Sequence, residues 1–225
     1  MPGKKVNTII EDAKESGWVM EPQAKELLAS QGFDVPKFAV AKTLSEVRHL
    51  IGRFTFPVVA KVVSPAIIHK TEVRGVVTGI QSVELLEETF ERFSTVDRFA
   101  GMLIEETVRG VELIVGAKID YQFGPMILLG IGGTMAELYG DVSLRMAPLT
   151  PADVEDMVHC LKARRILEGY RGAQAVDMEK LTKMLLLFSG LVIKIEPHIE
   201  SIDLNPVMCS RERCAVADAR IMLAK

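Results

Sequence analysis

The stretch from Pro57 to Val77 reads PVVAKVVSPAIIHKTEVRGVV. Four of its first seven residues are β-branched valines, which predict a strand over Pro57–Val63. Gly75 to Ile80 predicts a second strand, so the polar loop between them is held at both ends. Lys61 falls in mid-strand, and its own face also carries Val59 and Val63. An ammonium there costs several kcal/mol unless an anion meets it. A nucleotide phosphate would meet that need; the alternative is an edge-strand lysine whose head reaches water. The loop Ser64-Pro65-Ala66-Ile67-Ile68-His69-Lys70-Thr71 gathers two hydroxyls, an imidazole and an ammonium. Such a loop suits phosphate, and a neutral imidazole is available near pH 7 as a nucleophile toward phosphorus. The plainer reading of His69 is a surface residue.

Upstream, Val6–Ser16 predicts a helix lying on another element. Glu21–Gln31 predicts a firmer one, with Pro22 in its first turn and Gly32 as its stop. Pro36–Ala41 reads as a short strand. Thr43-Leu44-Ser45-Glu46 has capping-box spacing and opens a helix ending near Gly52. Downstream, Ser82 caps a helix to Phe93, and Met102–Glu106 reads as a strand. The order strand, helix, two strands, helix, strand describes a compact α+β unit.

In the second half, Val111–Ile119 alternates, with Glu112, Ile114, Gly116 and Lys118 against Val111, Leu113, Val115 and Ala117. Met126–Leu129 reads as a buried strand entering Gly130-Ile131-Gly132-Gly133, just before Glu137. Helices are predicted from Thr150-Pro151 toward Leu161 and from Asp177 toward Ser189. A closing hairpin runs over Ile199–Asn205, turns through Ser210–Arg213 and returns over Cys214–Ile221. No repeat, low-complexity tract or obvious linker divides the 225 residues, so two subdomains sharing a cleft fit best. Strands and helices without strict βα alternation indicate α+β rather than a doubly wound sheet.

Composition limits the function. Apolar residues are 48% and charged residues 25%, the balance of a globular domain with a core. Twenty-seven basic against thirty acidic residues, net −3, argue against a dedicated nucleic-acid binder. The uncharged run Met184–Ile193 is too short to span a bilayer, and no basic-then-apolar leader opens the sequence. Three cysteines, Cys160, Cys209 and Cys214, lack zinc spacing and fit a reduced cytoplasm. No histidine pair has metal-ligand spacing, and neither a nucleophile elbow nor a G-x-x-x-x-G-K-[ST] loop is present.

Two further constellations carry chemistry. The glycines at 130, 132 and 133 offer backbone amides to an anion, or else make a tight turn. Met135 stands where the dinucleotide fingerprint needs a small residue. In the hairpin, Asp203 and Asn205 are two apart and share one strand face. Asp218, on the returning segment, can be brought alongside. Two carboxylates and an amide oxygen make a hard-oxygen site suited to Mg²⁺, completed by water and phosphates. A turn marked by Pro206 is the plainer reading.

Taken in order, Pro57–Val77, Gly110–Gly116 (GVELIVG), Asp120–Pro125 (DYQFGP), Gly130–Pro148 (GIGGTMAELYGDVSLRMAP), Tyr170-Arg171-Gly172 and Ile202–Ile221 (IDLNPVMCSRERCAVADARI) form one set. It resembles the ATP-grasp domain of NDP-forming acyl-CoA synthetases, from about Glu21 to Ile221. The resemblance implies a free-standing β subunit that binds ATP or ADP with Mg²⁺. Its α partner would carry the CoA-binding and main phosphohistidine domains, in an α₂β₂ assembly. The implied reaction is acyl-CoA + ADP + phosphate ⇌ acid + CoA + ATP. The implied fold is two α+β subdomains with the nucleotide cleft between them: a lid over residues 21–104, and a larger part over 1–20 with 105–225.

By the same resemblance Lys61 would hold nucleotide phosphates, Glu105 and Glu106 would face the adenine end, and Glu112 the ribose. Gly132 and Gly133 would supply loop amides, and Arg145 positive charge near the phosphates. Asn205 and Asp218 would ligate Mg²⁺, with Asp203 beside the transferring phosphate. His69 would be a second phosphoryl carrier. The sequence departs from the pattern at Arg74, usually Gly, and at Glu105-Glu106, commonly Gln-Glu. Phosphoryl transfer needs charge neutralisation and in-line placement above all, which this set supplies. A stand-alone ATP-grasp carboxylate–amine ligase and a non-catalytic nucleotide sensor are the alternative functions.

Overall fold

Capping and alternation set most of the element boundaries. The structure, a computed structural model, describes residues 2–133, 140–170 and 174–224. It opens with α1 (Pro2–Asp12), β1 (Trp18–Val19) and α2 (Glu21–Ser30). There follow β2 (Phe38–Ala41), α3 (Leu44–Ile51), β3 (Val58–Val63), β4 (Val76–Ile80), α4 (Val83–Ser94) and β5 (Gly101–Glu106). Then come β6 (Val111–Asp120), β7 (Gly124–Ile131), β8 (Val142–Met146), α5 (Pro151–Cys160), α6 (Met178–Ile195), β9 (Ile199–Cys209), β10 (Cys214–Val216) and β11 (Arg220–Leu223). The Thr43–Glu46 capping box forms in full, Ser82 accepts from the Leu85 amide, and Asp177 accepts from the Lys180 amide. A second capping box, Thr150 with Asp153, starts α5.

The chain separates into two compact units, Met1–Val35 with Arg109–Lys225, and Pro36–Val108. The smaller holds an antiparallel sheet of order β2-β5-β3-β4. Val58, Ala60 and Val62 of β3, with Met102 and Ile104 of β5, form its core together with Leu86, Phe90 and Phe93 of α4. This is the strand and helix order expected for the first half.

The larger unit holds a sheet of order β1-β11-β9-β6-β7-β8, with β10 also paired to β9. One face packs Leu113, Val115, Ile127, Leu129, Ile202 and Leu204 against α6 residues Leu185, Phe188 and Val192 and against α1, α2 and α5. The buried set on β6 is the one its alternation predicts, with Glu112 and Lys118 exposed on the opposite face.

The unit boundary differs from expectation at the N-terminal side. Residues 21–35 belong to the larger unit because Ala24, Leu27, Leu28 and Phe33 are in its core. The Asp34 carbonyl accepts from the Val216 amide at 2.9 Å, and the Arg213 Nε donates to the Asp34 carboxylate at 2.7 Å. At the other side the boundary falls after Val108, two residues beyond Glu106.

The closing hairpin also departs from the sequence reading. β9 continues through Pro206 to Cys209 rather than turning there. Leu113 faces Val207 and Val115 faces Leu204, so Asn205 and Pro206 together oppose the single residue Ile114. That is a β-bulge, where proline's missing N–H removes no ladder bond. Burial along β9 shifts phase there, from Ile202 and Leu204 to Val207 and Cys209. The returning segment is correspondingly split: residues 217–219 lie outside both β10 and β11, and Asp218 is half-buried there rather than inside an apolar strand.

Candidate functional site

In the smaller unit, β3 lies between β5 and β4, so Lys61 is not on an edge strand. Its Nζ is 2.7 Å from Oε1 of Glu105, with the two side chains 6% and 3% exposed. The anion that meets this lysine within the chain is therefore a neighbouring carboxylate, and each charge offsets the other's desolvation. Strand alternation sends Glu106 to the other face. Its Oε1 accepts from the Lys37 amide at 3.1 Å, and its own amide donates to the Lys37 carbonyl at 3.0 Å. The two glutamates thus do different things, and of the two Glu105 alone shares the Lys61 face.

His69 is exposed in the loop between β3 and β4. The loop is tied at its start by the Ser64 hydroxyl, which accepts from the Ala66 amide and donates to the Asp97 carbonyl. At its end the Gly75 amide donates to the Lys70 carbonyl at 2.7 Å. Arg74 has φ +53°, the left-handed region that favours glycine. The departure noted at this position therefore falls where a side chain is strained.

In the larger unit, Glu112 and the two glycines come together. The Gly132 N–H donates to the Glu112 carbonyl at 2.6 Å, and a Cβ on Gly132 would stand 2.9 Å from that same carbonyl group. The glycine is required for this close approach. Its amide is committed to Glu112, which corrects the expectation that it faces an anion. Gly133 has φ +85°, and a Cβ there would lie 3.6 Å from Oε2 of Glu112. Residues 134–139, including Glu137, lie outside the described residues, as do Arg171 and Gly172 of the Tyr170-Arg171-Gly172 motif.

On β9, Asp203 pairs with Arg220 of β11 on one side and with Gly116 of β6 on the other. Nη2 of Arg220 donates to Oδ2 of Asp203 at 3.1 Å. Gly116 leaves the face beside Asp203 without a side chain. Asn205 is exposed on the same strand at the bulge, and the amides of Ala217 and Asp218 both donate to the Pro206 carbonyl, at 3.0 and 3.4 Å. The hairpin therefore brings Asp218 beside the Asn205–Pro206 step, through an irregular link instead of a paired strand. Among the described residues no group of three His, Cys, Asp or Glu side chains could hold a metal by itself. A carboxylate and an amide oxygen, with the Asp203 charge already met by Arg220, fit a Mg²⁺ that takes its other oxygens from phosphates and water.

Arg145 does not join this set. It pairs with Ile127 in the β7–β8 register, and Ile127 is buried on the helix-covered face. Asp153, in the first turn of α5, has its carboxyl lowered chiefly by the Thr150 hydroxyl and amide, with Arg145 adding a smaller Coulombic share. Alternation along β8 puts Leu144 and Met146, not Arg145, on the face that carries Glu112.

Sequence reasoning missed β8, although Val142, Leu144 and Met146 alternate with Ser143 and Arg145. It also missed Arg220 as the partner of Asp203. Asp141, a residue of the Gly130–Pro148 motif given no role, is buried and accepts from the Lys162 and Ala163 amides at 2.7 and 2.8 Å. The Asp120–Pro125 motif is a turn. Asp120 accepts from the Gln122 and Phe123 amides, which lower its carboxyl.

Comparison with known proteins agrees with this architecture. An ATP-grasp domain model matches residues 11–223. The chain belongs to the ATP-grasp family, in the branch of the ADP-forming acetate–CoA ligases. It is 36% identical to the β subunit of acetate–CoA ligase [ADP-forming] I of Pyrococcus furiosus, over 97% of this chain and 98% of that one. It is 38% identical to acetate–CoA ligase [ADP-forming] I of Archaeoglobus fulgidus over 99% of this chain, but spans only 33% of that protein. Dinucleotide forming acetyl-coenzyme A synthetase 1 of Ca. Korarchaeum cryptofilum, solved with coenzyme A and Ca-AMPCP, superposes with TM-score 0.90 at 36% identity, covering 96% of this chain and 99% of that one. A second structure of that enzyme holds Mg-AMPPCP, with its phosphohistidine segment pointing towards the nucleotide binding site (TM-score 0.84, 34% identity, 97% and 100% covered).

Proposed function

We propose that this chain is the nucleotide-binding, phosphoryl-transferring β subunit of an ADP-forming acyl-CoA synthetase, catalysing acyl-CoA + ADP + phosphate ⇌ acid + CoA + ATP with an α partner. The observation that carries the reading is the end-to-end match to a β subunit of that type. The buried Lys61–Glu105 pair and the oxygen-rich β9 hairpin support it.

In this reading Lys61 keeps Glu105 as a partner and also donates to a phosphate oxygen when nucleotide arrives, so both buried charges stay compensated. Glu112, fixed by its backbone bond to Gly132, accepts from the ribose hydroxyls. Asp218 and Asn205 hold Mg²⁺, which supplies neutralisation of phosphate charge when bound. Asp203, oriented by Arg220, sits beside the transferring phosphoryl group. A neutral ring nitrogen of His69 attacks phosphorus, forming an N–P bond as the bond to the donor oxygen breaks. The reverse displacement passes the group on. The α partner supplies CoA and acid binding, in an α₂β₂ assembly working in the cytoplasm.

The test is calorimetric titration of the purified chain with Mg²⁺ and ADP or ATP, followed by reconstitution with a CoA-binding α subunit. Nucleotide binding by the chain alone is expected, with acyl-CoA formation only after the partner is added. Acyl-CoA formation by the chain alone, or no nucleotide binding, overturns the reading.

A further inference from the structure

Cys209 and Cys214 play no part in the chemistry above, yet they face each other across the tip of the β9–β10 hairpin as register partners. The Ser210 amide donates to the Arg213 carbonyl at 2.8 Å, which makes residues 210 and 213 a hydrogen-bonded pair. The Val216 amide points away from β9, to the Asp34 carbonyl. Both observations put the 209–214 pair in the non-hydrogen-bonded class, whose Cα atoms lie about 4.5 Å apart with side chains on one side. That separation lies within the range that an S–S bond bridges. Both residues are buried, and their thiols are near enough to act on one another. That proximity, with burial, holds the Cys209 thiol in its protonated form.

The hairpin tip is already held in place. The Ser210 hydroxyl accepts from the Glu212 and Arg213 amides at 3.1 and 3.2 Å, and the Arg213 guanidinium is bonded to Asp34. A cavity of about 280 Å³, lined by Phe33, Lys180, Lys183, Arg213 and Cys214, brings open space up to Cys214. Cys160 is exposed at the end of α5.

We propose that Cys209 and Cys214 are a redox pair that closes into an intramolecular disulfide at this hairpin tip when a small peroxide reaches Cys214. The Cys214 sulfur attacks one peroxide oxygen, breaking the O–O bond, to give a sulfenic acid and one water. The Cys209 sulfur then attacks the sulfenic sulfur and releases a second water, so two thiol hydrogens leave with the two peroxide oxygens. The bond ties β9, which carries Asp203 and Asn205, to the segment that leads to Asp218.

The experiment uses the full chain with Cys160→Ser, treated with hydrogen peroxide in native buffer, then unfolded in an alkylating reagent. Trypsin cuts between the two cysteines at Arg211 and Arg213, so the bond appears as two fragments joined until a reductant parts them. The expected result is loss of both alkylation sites, a mass lower by about 2 Da, joined fragments from a monomeric species, and a higher melting temperature. Overturning results are alkylation of both cysteines after treatment, oxygen adducts without joined fragments, joining between two copies, or joining only when the oxidant meets unfolded chain. None of these readouts depends on nucleotide binding.

Discussion

The ammonium of Lys61 and the carboxylate of Glu105 face each other at 2.7 Å from adjacent antiparallel strands, both nearly sealed from water. Four valines and an alanine fill the rest of the Lys61 strand, all of them buried. The pair keeps a cation ready at this position in the absence of ligand, at a desolvation cost its own attraction offsets.

Removing one member exposes that cost. Lys61→Met leaves the Glu105 carboxylate buried without its ammonium and is expected to destabilise the chain by about 3–5 kcal/mol. Lys61→Met with Glu105→Leu should recover most of the loss, because both desolvation penalties then vanish. Urea unfolding of the two single variants and the double variant gives the coupling directly. Nucleotide affinity should stay low in both Lys61 variants, whatever their stability. A double variant that binds nucleotide normally would remove Lys61 from the site.

The glycines at 132 and 190 should respond in opposite directions to alanine. At Gly132 the new Cβ meets the Glu112 carbonyl at 2.9 Å, and backbone must shift. A loss of about 1–3 kcal/mol is expected, as for other overpacked sites. At Gly190, exposed within α6, a Cβ meets nothing within 4 Å. There alanine should stabilise by about 0.5–1 kcal/mol through helix propensity and a less flexible unfolded chain. Thermal melts of the two variants settle both signs.

Much of the fold was legible because short-range chemistry decides it. Thr43, Ser82, Thr150 and Asp177 each cap the helix their spacing predicts, and β6 buries the residues its alternation selects. What was not legible depends on long-range register. The bulge at Asn205–Pro206 shifts β9 by one residue and breaks the returning strand at Asp218, which no local pattern announces. Arg145 was assigned by motif, but pairing with Ile127 turns it to the helix side. The Lys61–Glu105 contact needed knowledge that β3 and β5 are neighbours, although both residues were singled out separately. The glycine expected at the position of Arg74 does make local sense, since the φ of +53° there is where glycine sits without strain.

The hairpin makes a metal-specific prediction. If Asp218 supplies an oxygen to Mg²⁺, Asp218→Asn removes one charge from the donor set while keeping its size. The Mg²⁺ concentration for half-maximal nucleotide binding should rise about tenfold, a difference of about 1.4 kcal/mol. The bond from the Asp218 amide to the Pro206 carbonyl is left in place by this substitution. Arg220→Met should act differently. It frees Asp203 from its cation and should lower turnover in the reconstituted enzyme while leaving the Mg²⁺ midpoint near its original value. Equal Mg²⁺ midpoints for Asp218→Asn and the unaltered chain would remove Asp218 from the metal site.

Acid should weaken the fold through three aspartates that do no chemistry. Asp120 accepts from the Gln122 and Phe123 amides, Asp153 from the Thr150 hydroxyl and amide, and Asp177 bonds Lys180 through its ammonium and amide. Each carboxyl is held below its ordinary value by those bonds. A carboxyl lowered in the folded state binds its proton more weakly there than in the unfolded chain. Its contribution is therefore fully present above the unfolded value of about 4, and is lost as pH falls through the folded one. All three are partly exposed, so the individual effects are small and screened by salt. Melting temperature should fall from about pH 5 toward about pH 2, the range over which such groups titrate. Asp120→Asn with Asp153→Asn and Asp177→Asn should flatten that fall, lowering stability at neutral pH more than at the acid end. A triple variant that loses stability equally at both ends would show that these contacts act through geometry rather than charge.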